Sequence, residues 1–180
     1  MEVEALRTGR LAVLGLDTTT GVPAQITEVA VMYVDGGVIT AGPFAYWVAP
    51  DAPMHQVRHR SWANVRLAPP WPEVAEQVLL AVAGRVLVTH DAARVDVLRR
   101  HLPDWEPAAV VHIRVLAERV WPGLVSYDLG SVSVAASLAP LPQSGPGAVA
   151  EAYAVALLLP ALFRDAGRRA ARAGSPAGGA

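Results

Sequence analysis

The chain has no cysteine, no lysine and only two phenylalanines. Without cysteine there can be no disulfide framework and no thiolate zinc site. Without lysine, all 15 basic residues are arginine. A GC-rich coding sequence accounts for that bias, and a phosphate-binding role would need the arginines to cluster in the fold. Charge is sparse, at 17% of residues with a net of −1, so no basic excess advertises a polyanionic partner. No apolar run is long enough to span a membrane. The longest candidate, Ala148–Phe163, carries Glu151 and Pro160 and is expected to be a buried helix. Met1-Glu-Val-Glu-Ala has neither the basic start nor the apolar run of a signal peptide, so a cytoplasmic location is expected. What is present is hydrophobic: 53% of 180 residues, enough for one domain with a sizeable core.

The pattern predicts alternating elements. Leu11–Leu16 reads as a buried strand ending in a loop. Ile26–Val34 and Val38–Val48 flank Asp35-Gly36-Gly37, a strong hairpin signal. Residues 49–71 read as a long connection. Helices are expected over Glu73–Val82, Ala92–Leu102, Arg114–Trp121, Asp128–Leu138 and Ala148–Phe163, and strands over Arg85–Thr89 and Ala109–Ile113. The order β-β-β-α-β-α-β-α-α gives an α/β fold, a three-strand antiparallel meander joined to parallel strands in a mixed five-stranded sheet flanked by helices. Residues 1–9 are read as an N-terminal extension, 10–163 as the domain, and 164–180 as an Arg-, Ala- and Gly-rich flexible tail.

Three segments carry candidate chemistry. Asp17 closes the first strand ahead of Thr18-Thr19-Thr20-Gly21. Residues i and i+2 of a strand share a face, so an acidic residue at 19 would aim a second carboxylate at the same site. That position is a threonine. The second segment runs from Val86 to Leu98 and contains His90, Asp91 and Asp96; the third runs from Gly145 to Leu159 and contains Glu151. The plainer readings are that Asp17 is a turn residue, that Asp96 is an exposed helix residue pairing with Arg99 or Arg100, that His90 is an orienting strand-end histidine, and that Glu151 is a first-turn acid favoured by the helix dipole.

In order and spacing these segments resemble the three motifs of the DnaQ-like (DEDDh) 3′–5′ exonucleases of the ribonuclease H-like superfamily. Trp47-Val-Ala-Pro50, Ala68-Pro-Pro-Trp-Pro-Glu-Val-Ala-Glu76 and Ser126-Tyr-Asp-Leu129 resemble its spacers. The resemblance covers residues 10–163. It implies two Mg²⁺ or Mn²⁺ ions roughly 4 Å apart, held by Asp17, Asp96 and Glu151, with Thr18, Thr19, Thr20 and His90 against the substrate. Its partner would be single-stranded nucleic acid or a 3′ end.

The departures are equally specific. The family's first motif is Asp-x-Glu-Thr-Thr-Gly, and its Glu is missing here in either alignment. In the second motif Asp91 replaces Asn, one residue is inserted before Asp96, and no Phe precedes it. In the third, Glu151 takes the place of the last Asp and Pro146 that of the general-base His. Loss of a general base alone removes roughly 10²–10⁴-fold in rate. The expected function is therefore an exonuclease-fold protein acting on or binding 3′ ends, with catalysis lost or strongly weakened. The alternatives are an active exonuclease with an atypical site, or a scaffold for a protein partner or a second copy of the chain.

Overall fold

The computed structural model describes residues 3–58, 61–138 and 147–173. Among them five strands, β1 (Arg10–Thr18), β2 (Ile26–Asp35), β3 (Val38–Trp47), β4 (Val86–Thr89) and β5 (Val110–His112), form one sheet in the order β3-β2-β1-β4-β5. The first three are antiparallel, and β4 and β5 run parallel to β1. The expected mixed sheet is what forms. Its hairpin turns on Gly36 and Gly37, both at positive φ, as a two-residue primed turn requires.

Seven helices among the described residues accompany the sheet: α1 (Val3–Thr8), α2 (Trp62–Val65), α3 (Trp71–Val82), α4 (Ala92–His101), α5 (Ile113–Val120), α6 (Leu129–Ala135) and α7 (Ala148–Ala173). The connection at 49–71 contains α2 and a 3-10 turn at Met54–Gln56. None of the described helices is long and apolar enough to cross a membrane.

Strand β1 is buried on both faces and divides the core in two. Leu11 and Val13 pack with Ala30, Met32 and Val34 of β2 against α5, α6 and α7. Ala12, Leu14 and Leu16 pack with Val29 and Val31 against Val74 and Val78 of α3 and Val95 and Leu98 of α4. The result is a helix–sheet–helix sandwich in which the period-2 alternation of β1 serves both layers.

Several boundaries differ from expectation. Helix α7 runs ten residues past Phe163. Its extension is rich in the good helix formers Ala and Arg, and Asp165 ties it to the body by accepting from Trp121 Nε1 at 3.0 Å. Residues 174–180 lie outside the described residues. At the other end, α1 inserts Leu6 into the core cluster that α7 also joins. Helix α6 starts one residue later than expected because Asp128 is its N-cap, accepting from Ser131 N at 2.8 Å. Hydrogen bonds from Ser126 and Ser131 hold its carboxyl down at about 2. Asp128→Ala is expected to lower stability by about 1 kcal/mol, measurable by urea unfolding.

Candidate functional site

The end of β1 meets the start of α7 at an unusually short separation. A Cβ on Gly15 would lie 1.9 Å from the Ala148 carbonyl oxygen, so only glycine lets the helix come this close. The approach carries Glu151, in the first turn of α7, to the backbone of β1, where its Oε2 accepts from Leu16 N at 3.4 Å. Asp17 shares the α7-facing side of β1 with Val13 and Gly15. Directly opposite Asp17 on β2 stands Glu28, on the same face. Glu28 serves the fold: its Oε2 accepts from Ala148 N at 2.9 Å and so satisfies a free amide at the N-terminus of α7.

Two arginines meet the remaining buried carboxylates. Arg94, the third residue of α4, places Nε 3.0 Å from Glu151 Oε1; the Glu151 side chain is 3% exposed and that of Arg94 31%. Arg58 places Nε 3.2 Å from Asp17 Oδ1, and Ser61 Oγ donates to Asp17 Oδ2 at 3.4 Å. Burial pushes the Glu151 carboxyl above its usual range, against the opposing pull of Arg94 and the Leu16 amide. Asp91 and Asp17 lie within electrostatic reach of Arg94 as well, and these acids raise its already high pKa against the effect of burial.

His90, at the end of β4, is bound on both sides. Its Nε2 is 3.2 Å from the Tyr127 carbonyl and its Nδ1 is 3.4 Å from Asp91 Oδ2. Both partners are acceptors, an arrangement that favours the doubly protonated ring. Burial opposes the charge, but the hydrogen bonds to Asp91 and Tyr127 outweigh it and raise the His90 pKa. The same contact, against burial, lowers Asp91 to about 2. A raised histidine stabilises the fold fully below its unfolded value, near 6.5, and loses that contribution as pH rises through its folded value. His90→Gln is therefore expected to cost more stability at pH about 5.5 than at about 8.5. Thermal unfolding of both proteins at the two pH values checks this, and an equal cost at both would refute it.

The structure brings together only part of the expected set. Glu151 reaches the amide of Leu16, the residue before Asp17, and His90 lies within electrostatic reach of Glu151. Thr19 and Thr20 shape the loop: Thr19 Oγ1 accepts from Gln25 N at 3.0 Å, and Thr20 Oγ1 donates to the Gln56 carbonyl at 3.2 Å, while Thr18 is half-buried at the strand end. Asp96 is the departure. It is exposed on α4 and forms no ion pair among the described residues, with Arg99 and Arg100 included. Val95, Leu98 and Leu102 form the inward stripe at i, i+3 and i+7, and one residue of helix turns a side chain by about 100°. An aspartate directly after Val95 therefore faces away.

Sequence reasoning missed Arg94, Arg58 and Ser61. Helical spacing was a usable signal for Arg94, because Val95 marks the inward face and fixes where its neighbours point. Arg58 and Ser61 reach Asp17 from a loop with no periodicity to read. Pro146 lies outside the described residues. Trp62 and Trp71 anchor loops by donating to the Val57 and His101 carbonyls, both at 2.9 Å.

A divalent cation does not fit this donor set. Each oxygen of Asp17 and Glu151 already faces a donor: Arg58, Ser61, Arg94 or the Leu16 amide. No group of three or more His, Asp or Glu side chains among the described residues is arranged to hold a metal. The three-carboxylate set expected from the sequence is not assembled among the described residues, since Asp96 is exposed on α4.

No protein-family model and no curated protein matches the chain. Solved structures do. Exonuclease X in complex with 5′-overhanging duplex DNA superposes with a TM-score of 0.64 at 25% identity, covering 87% of this chain and 93% of that one. A 3′-exonuclease that recognises the histone mRNA stem-loop gives 0.68 at 13% identity, over 87% of this chain and 64% of that one. The zinc-bound E. coli exonuclease I–single-stranded DNA complex gives 0.65 at 14% identity, with 87% and 42% covered.

Proposed function

Since this chain is a DnaQ-like protein of the ribonuclease H fold, we propose that it binds or acts on nucleic-acid 3′ ends with catalysis lost or strongly weakened. The observation that carries this reading is the Arg94–Glu151 ion pair, with Arg58 on Asp17: the carboxylates expected to gather metal are neutralised by side chains. General metal-ion catalysis of phosphodiester cleavage needs free carboxylate oxygens converging on the ions, and here those oxygens have donors.

Binding is compatible with the same arrangement. Among the described residues the contacts of Arg58 and Arg94 with the carboxylates run through Nε, and both side chains are partly exposed. A guanidinium carries five donors, and its fork matches phosphate oxygens. The expected result is salt-sensitive binding of a short single strand with a free 3′ hydroxyl, followed by fluorescence anisotropy. Arg58→Ala should weaken binding several-fold and reduce the salt dependence by about one phosphate contact. Cleavage of a labelled strand in Mn²⁺ should be absent or marginal at micromolar protein. Robust nuclease activity abolished by Asp17→Ala would overturn the reading in favour of an active enzyme, and the absence of any strand binding would favour a protein scaffold.

A further inference from the structure

We propose that Arg94 is a built-in cation that closes a divalent-metal site, and that removing its charge opens that site to a hard ion such as Mn²⁺ or Mg²⁺. Two buried carboxylates from different elements, Asp17 at the end of β1 and Glu151 in α7, approach one region of the molecule. Asp91, at the N-cap of α4 and 35% exposed, lies within electrostatic reach of the same arginine. Two buried carboxylates of this kind need positive charge nearby. In this chain the charge is covalently attached: the Arg94 guanidinium sits 3.0 Å from Glu151 and interacts with Asp17 and Asp91. Arginine stays charged at every accessible pH, so the occupant does not leave on titration.

Vacating the guanidinium would free Glu151 Oε1. Asp91 already keeps Oδ1 without a hydrogen-bond partner among the described residues. Oxygen donors of this kind, completed by water, are what Mg²⁺ and Mn²⁺ take. The inference rests on the geometry of the carboxylates and is independent of the proposed 3′-end ligand.

Mn²⁺ binding to the full chain tests it, by calorimetry and by the thermal shift that a native-state ligand produces. For the unaltered protein, about 5 mM Mn²⁺ is expected to leave the melting temperature unchanged. For Arg94→Ala, Mn²⁺ should bind at least tenfold more tightly than to the unaltered protein and raise the melting temperature. Adding Glu151→Ala should remove that gain, and Arg94→Lys should keep the site closed. If Arg94→Ala does not fold, Arg94→Gln, which retains a neutral donor toward Glu151, carries the same comparison. Mn²⁺ affinity equal in the Arg94 variant and the unaltered protein would overturn the proposal, as would Asp17-dependent Mn²⁺ binding by the unaltered protein. No arm uses nucleic acid, so failure here leaves 3′-end binding standing; Mn²⁺ binding by the unaltered protein would count against the loss of catalysis as well, whereas failure of strand binding leaves this inference untouched.

Discussion

Replacing Gly15 with alanine is expected to destabilise the protein by about 3 kcal/mol, the upper end of the usual cost of overpacking a core. The added Cβ would stand 1.9 Å from the Ala148 carbonyl oxygen and 2.8 Å from Ala152 N, both backbone atoms of α7. No rotamer change can relieve a clash with backbone, so α7 must move. Helix α7 packs on β1 and β2 and contributes Val155, Leu158, Leu159 and Leu162 to one of the two core clusters, so the shift is felt along its length. It would also draw Glu151 away from Leu16 and Arg94, and Ala148 away from Glu28. Chemical denaturation should show a lower midpoint with an unchanged slope. A cost below about 1 kcal/mol would mean that the helix is free to slide and that the close approach is not required.

Arg94→Ala is expected to cost about 3 kcal/mol at neutral pH, near the lower end for breaking a buried pair because the arginine is about one-third exposed. The loss arises from leaving Glu151 charged and buried. Its pH dependence follows from the same fact. Burial already holds the Glu151 pKa above its ordinary 4.5, and without Arg94 it must rise further. A carboxyl with a raised folded pKa favours the native state below its unfolded value and loses that advantage as pH rises through the folded one. The deficit of Arg94→Ala should therefore be complete at neutral pH, shrink as pH falls through the variant's raised folded value, and be at its smallest by about pH 4.5. The double variant Arg94→Ala with Glu151→Ala should recover part of the loss, since removing both members of a buried pair is far less costly than removing one. A double-mutant cycle measured at two pH values tests both statements, and a coupling near zero would show that the pair contributes no stability.

These two variants probe features of very different legibility. The fold could be read because its signals are local and periodic. Alternating or continuous apolar runs placed every strand, and Gly36-Gly37 identified the hairpin through its need for positive φ. The loss of the family's Glu at Thr19 or Thr18 could also be read directly. The helix from Ala148 was expected to end near Phe163 because Arg, Ala and Gly looked like a fraying tail; a single long-range bond from Trp121 to Asp165 helps to hold it as helix. Asp96 reads as a ligand because it matches the aspartate of the family's second motif, with one residue inserted before it. The inward stripe of Val95, Leu98 and Leu102 decides otherwise.

The amino-acid sequence by itself determined the order of the strands and helices, the superfamily, and the departure of its motifs from the nuclease pattern, because each depends on neighbours in the chain. Only the tertiary structure decided what took the place of the missing chemistry. Arg94 and Glu151 are 57 residues apart and Ser61 and Asp17 are 44 apart. They meet because Gly15 lets α7 settle onto β1 while α4 packs on the other face of the sheet. Electrostatic pairing acts across space, and the low-dielectric interior makes a charge at such a meeting point require a partner. In this protein the partners are arginines.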